Sequence, residues 1–168
     1  MRFVMICTVC LGAVASCDMT WAQQGSGTAG TATTVCSFED GQQISVRYEK
    51  GVKAKEKLPT GKLWMPGQKP LYLFAQTELS IGDAVVAAGA YAMYLIPEKE
   101  NWILVVNRDV NAGSPYNEKQ DVVRVPLQLG QLSDRQPFSV VFGHVGPKQC
   151  NLRIYLGKIG TWAEFREK

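Results

Sequence analysis

From Thr33 to the end of the chain, apolar residues fall at alternate positions in short runs separated by turn residues. Period two with one apolar face is the signature of a half-buried strand. In QISVRYE, Ile44, Val46 and Tyr48 alternate with Ser45 and Arg47. Near the end, Leu152, Ile154 and Leu156 alternate in the same way. No segment carries a helical period apart from a short turn at 117–121, so the chain must satisfy its backbone through sheet pairing. Turn signals stand at Asp40-Gly41, Gly82-Asp83, Glu98–Asn101 and Gly146-Pro147-Lys148. Gly89 reads as a positive-φ residue where the chain re-enters the sheet. NWILVVN is apolar on both faces and reads as a central strand. DVVRVPLQLG alternates, and Pro126 makes it an edge strand. PFSVVFGHV, CNLRIYLGK and TWAEFRE read as three further separate strands. The expectation is an all-β fold, an antiparallel sandwich or small barrel of about nine strands.

Two irregular stretches interrupt the pattern, residues 50–69 and Arg108–Gln120. Long ordered loops often carry function. The first holds Lys50, Lys53, Lys55, Lys57 and Lys62, interrupted by Glu49 and Glu56 and without interleaved aromatics. That is the pattern of a solvated loop, and a net charge of +3 is too mild for a nucleic-acid partner.

The first 22 residues read as a signal peptide. Arg2 precedes an uncharged apolar run from Phe3 to Ala15, thirteen residues long, which suits a signal sequence and falls short of a spanning helix of about 20. Cleavage after Ala22 would release a soluble domain starting at Gln23. Alternatively, Val14-Ala15-Ser16-Cys17 resembles a lipobox, and Cys17 would carry the lipid anchor. Residues 23–32 form a Gly-, Ser- and Thr-rich leader, and 33–168 a single β-rich domain. Either cleavage leaves Cys36 and Cys150 as the pairable thiols, and in an oxidising compartment they read as a disulfide.

His144 is the only histidine. No nucleophile elbow, phosphate-binding loop, dinucleotide fingerprint or calcium loop occurs. Metal ligation is not expected, because the mature chain has no CxxC pair. No cofactor is expected either. Asp109, Glu118, Asp121 and Glu164 are acidic candidates for paired-carboxylate chemistry, but spacing alone brings no two together. Aromatics are the better clue: Tyr72, Tyr94, Tyr116, Tyr155 and Trp162 join Trp64 and Trp102, several out of phase with the aliphatic face. An exposed aromatic row suits a sugar or a peptide. Trp64, Tyr116 and His144 are the ligand-contact candidates, with Trp64 also readable as a cap on the core edge.

The stretches AAGAYAMYLIP, NWILVVNRDVNAGSPYNEKQDVVRVPLQLG and HVGPKQCNLRIYLGKIGTWAEF resemble an exported bacterial family, domain-of-unknown-function family 2911. The resemblance covers roughly Cys36 to Glu167 and rests on four ordered elements. These are an AG-x-Y hairpin, a W-x-hydrophobic-x-x-N strand, a Y-x-E-x-x-D-V-x-R element and a W-A-E-F end. It implies export and a β-rich fold, and no reaction. Many members carry a polar Arg-Thr-Gly-Ala-Asn-Glu-like segment after Lys-x-Trp, where this chain has Met65-Pro66-Gly67-Gln68-Lys69-Pro70. The expected function is a non-catalytic binding or accessory domain of the periplasm or envelope, with a small molecule, glycan or envelope protein as partner. A hydrolase or isomerase built on His144 with Asp109 or Glu164 is the alternative, and a structural envelope protein pairing through its edge strand is a third.

Overall fold

The computed structural model describes residues 30–53 and 57–168; the signal-peptide reading over 1–22, including Cys17, lies outside them. Nine antiparallel strands form one sheet that does not close: β1 (Thr31–Ser37), β2 (Gln43–Glu49), β3 (Leu71–Ala75), β4 (Leu79–Ile81), β5 (Ala84–Val86), β6 (Gly89–Pro97), β7 (Trp102–Asn107), β8 (Asp121–Gly146) and β9 (Gln149–Glu167). Their spatial order is β1-β2-β3-β6-β7-β8-β9-β4-β5. Of the two architectures expected, the sandwich-like one is found and the barrel is not.

The sheet folds over itself through β8. Its first part pairs with β7 as far as Leu127, and from Gln128 onward it pairs with β9. One layer is therefore β1, β2, β3, β6, β7 and the start of β8; the other is the rest of β8 with β9, β4 and β5. The apolar residues of alternate positions meet between the layers. Ile44, Val46, Leu73, Met93, Leu95 and Leu104 come from the first layer, and Val140, Leu152, Ile154 and Phe165 from the second.

The sequence suggested separate strands before and after residues 130–137, and again within the last stretch. Both β8 and β9 instead run unbroken. The reason is that Gly130, Asp134 and Pro137 mark irregularities of the ladder, not chain reversals. The register slips between Gln131 and Gln136 and between Gln136 and Ser139. Such irregularities bend a strand without ending it. Likewise β8 is no edge of the sheet, since it lies between β7 and β9. Pro126 is tolerated because its stretch pairs only with β7, opposite Ile103, so one side of the strand needs no N–H there. Gly89 has a φ of 154°, as the re-entry required.

Cys36 of β1 and Cys150 of β9 form a disulfide across 114 residues, joining the two layers. Beside it, the Phe142 N–H donates to Thr34 Oγ1 at 2.9 Å.

A second, smaller cluster lies on the outer face of the first layer. Ala92, Tyr94 and Val105 are buried there under Leu63 and Tyr116. The two irregular stretches thus cover β6 and β7, which explains why NWILVVN is apolar on both faces.

Candidate functional site

The outer face of the first layer carries a polar latch and, beside it, an open cleft. The latch begins at Asn107, the last residue of β7 and 1% exposed. Its Nδ2 donates to the Asn117 carbonyl at 2.9 Å and to Asp121 Oδ1 at 2.7 Å. Its Oδ1 accepts the Asp109 N–H at 2.8 Å. Asp121, the first residue of β8, accepts Arg124 Nε at 2.7 Å on Oδ2, which also accepts the Tyr116 hydroxyl. Arg124 donates again to the Tyr116 oxygen at 2.7 Å and pairs with Glu118 at 3.0 Å. The Tyr116 ring stands edge-on to Tyr94, 5.1 Å between centroids. The loop between β7 and β8 is therefore pinned at both ends and in its middle. A short 3-10 turn at Glu118–Gln120, capped by the Asn117 side chain, completes it.

Burial pushes the Tyr116 hydroxyl up to about 12, with its hydrogen bond to Asp121 and that carboxylate's charge acting in the same direction. The folded state therefore holds this proton beyond the ordinary tyrosine range near 10. The linked stabilisation is complete below about pH 10 and is lost as pH rises toward 12. Burial raises Tyr94 as well, so phenolate absorbance near 295 nm should show late-titrating tyrosines, and Tyr116→Phe should remove the component near pH 12.

The pinned loop supplies one wall of the cleft, through Val110 and Ala112. The cleft holds about 410 Å³. Its floor is Arg47 of β2 with Tyr72 and Phe74 of β3. The Arg47 guanidinium carbon lies 5.5 Å from the centroid of each ring, within cation–π range. Among the described residues no carboxylate lies within ion-pair distance of Arg47. Phe74 and Val110 are each 39% exposed, so the surface is apolar around a single available cation. At the rim, Lys69 Nζ meets Glu49 Oε1 at 2.9 Å, and that hydrogen bond and charge raise Lys69 above its ordinary value.

The rim is formed by the turn that follows Trp64. Gly67 and Gln68 both take positive φ, 69° and 67°. Gly67 passes so close to β2 that an added Cβ would lie 3.1 Å from Glu49 Cβ. The turn delivers Lys69 and Pro70 to the cleft.

The three ligand-contact candidates do not converge. Trp64 is a core residue, 5% exposed, edge-on to Trp102 and Phe138 and bridged through its backbone to Leu95. Tyr116 is the centre of the latch. His144 is exposed near the end of β8, with no hydrogen bond or ion pair among the described residues. The acids suggested for it are engaged elsewhere: Asp109 Oδ1 accepts from Asn111, and Glu164 pairs with Arg166 at 2.9 Å. Glu118 and Asp121 do meet, through Arg124, but as parts of the latch. Among the described residues no cluster of His, Cys, Asp and Glu could hold a metal ion.

Sequence reasoning passed over Arg47 and Phe74. Arg47 sits in the polar phase of β2, where a charge is ordinarily just solvated. The available signal was in LYLFA, where Tyr72 and Phe74 occupy the phase opposite to Leu71, Leu73 and Ala75. Aromatics in the solvent phase of a strand mark a face that touches something.

A family model described as a protein of unknown function, DUF2911, matches residues 30–161. No curated protein and no solved structure matches the chain.

Proposed function

The chain belongs to the DUF2911 family, which brings no reaction with it, and we propose from the geometry that it is an exported, non-catalytic binding domain of the cell envelope. Its ligand would occupy the cleft between β2, β3 and the 108–120 loop. The observation that carries this reading is Arg47, a guanidinium stacked over two rings in a mostly apolar cleft, with no carboxylate within ion-pair distance among the described residues. A cation so placed suits a ligand with an apolar body and one anionic group, because sites of this size commonly bury an apolar body and fix it with few polar groups. Export is supported by the Arg2-led apolar run and by the Cys36–Cys150 disulfide, a bond of oxidising compartments.

Calorimetric titration with aromatic and aliphatic carboxylates, each beside its neutral amide, tests the site. The acids should bind more tightly than the amides, and Arg47→Gln should erase the difference at unchanged melting temperature. Equal binding of acid and amide, or an unaffected Arg47→Gln variant, overturns the reading. Intact mass from the native host decides between a start at Gln23 and an acylated Cys17; an uncleaved chain would refute export.

A further inference from the structure

A second cleft, independent of the first, opens where the β8–β9 ribbon bends, with a volume of about 400 Å³. Its space is made by two glycines facing each other across the ladder, Gly130 and Gly160. A Cβ on Gly130 would lie 3.1 Å from the Trp162 ring, and one on Gly160 3.4 Å from the Tyr155 ring. Both rings thus lie against bare backbone, each keeping part of its surface open. Asn151 also lines the cleft, and its Oδ1 is buried with no partner among the described residues. An orphaned group of this kind weighs against folding. Folding alone gives no reason to keep such an acceptor beside a cleft. Arg153, exposed on the same wall, has its guanidinium laid over Gly143 and has no carboxylate within ion-pair distance among the described residues.

We propose that this cleft binds a pyranose ring of an acidic polysaccharide. The apolar face of the ring lies on Trp162, a ring hydroxyl donates to Asn151 Oδ1, and the carboxylate pairs with Arg153. Aromatic rings suit a partner with an apolar face and a polar edge. An orphaned acceptor beside such a ring selects a hydroxyl donor, and an unpaired guanidinium selects a carboxylate.

The test is titration of the full domain with oligogalacturonate, followed by tryptophan fluorescence and calorimetry, beside the methyl-esterified oligomer. Oligogalacturonate should bind saturably and the ester roughly tenfold more weakly. Trp162→Ala should abolish binding while Trp162→Phe retains it. Arg153→Gln, at an exposed position, should bring the acid down to the ester's affinity. Asn151→Ala is the sharpest variant, because removing an orphaned acceptor should leave the melting temperature unchanged or raised while lowering affinity at least fivefold. No saturable binding, equal binding of acid and ester, or an Asn151→Ala variant that melts early with affinity intact would each overturn the proposal. Because Arg47 lies on the other layer, Arg47→Gln should leave this binding intact, which separates this site from the first.

Discussion

Removing the Cys36–Cys150 disulfide is expected to cost this domain more than any other two-residue change. The bond closes a loop with a separation of 114 residues. In the chain-entropy model a loop of that length restricts the unfolded ensemble by about 4–5 kcal/mol. On its outer side β1 packs beside β8 without a ladder, and hydrogen bonds reach across from the Phe142 N–H to Thr34 Oγ1 and, just past β1, from the Glu39 N–H to the Pro147 carbonyl at 3.0 Å. Both cysteines are buried, at 5% and 0% exposure, so replacement by alanine also leaves small voids. The Cys36→Ala/Cys150→Ala variant should therefore lose much of a typical stability of about 5–15 kcal/mol. Urea unfolding checks this. A midpoint within experimental error of the parent would show that the bond is incidental.

The second large effect belongs to Asp121. Its carboxylate accepts from Asn107, Tyr116 and Arg124, and its side chain is 11% exposed. Asp121→Ala leaves the buried Asn107 amide and the Tyr116 hydroxyl each short of a partner and frees a cation. Complete loss of a buried pair costs about 3–5 kcal/mol. Arg124 is 39% exposed and can turn to water, so a loss of roughly 2–3 kcal/mol is expected here. Asp121→Asn should cost less, since the amide still accepts one bond. The decisive readout is local. Amide exchange should accelerate across residues 108–120, and carboxylate binding in the first cleft should fall although no cleft residue has changed. Uniform acceleration through the whole domain would instead mean that the latch serves global stability alone.

The same residues show what could be read in advance. Strands announced themselves where one face meets the core and the other meets water, as in β2 and β9. β7 was equally plain, because a run apolar on both faces must be covered on both. The continuity of β8 was hidden, since glycine, proline and aspartate serve bends in a paired strand as readily as turns between strands. The polar positions of the family motif, Tyr116, Glu118, Asp121 and Arg124, were visible as a pattern. Their meaning was not, because a one-dimensional spacing does not reveal that Asn107 closes the group from the preceding strand. Trp64 allowed two readings, a ligand contact or a cap on the core edge, and the structure puts it in the core. An aromatic in an irregular segment looks available, yet here the segment turns inward and uses the ring as core. Arg47 was unreadable alone and becomes legible only beside Tyr72 and Phe74, its neighbours across the β2–β3 ladder.

The length and position of the β8–β9 ribbon also govern the order in which the domain can form. The ribbon supplies nearly all of the second layer, and it occupies the last part of the chain, from Asp121 to Glu167. A chain emerging N-terminus first from a ribosome presents β1 to β7 with their inner faces uncovered until β8 and β9 arrive. Those faces carry Ile44, Val46, Leu73 and Leu104, an aggregation-prone set while bare. The domain can therefore complete its core only after β9 has emerged, and Cys36 must wait as a thiol until Cys150 is made. A chain stopped short of β9 would have neither its lid nor its bond.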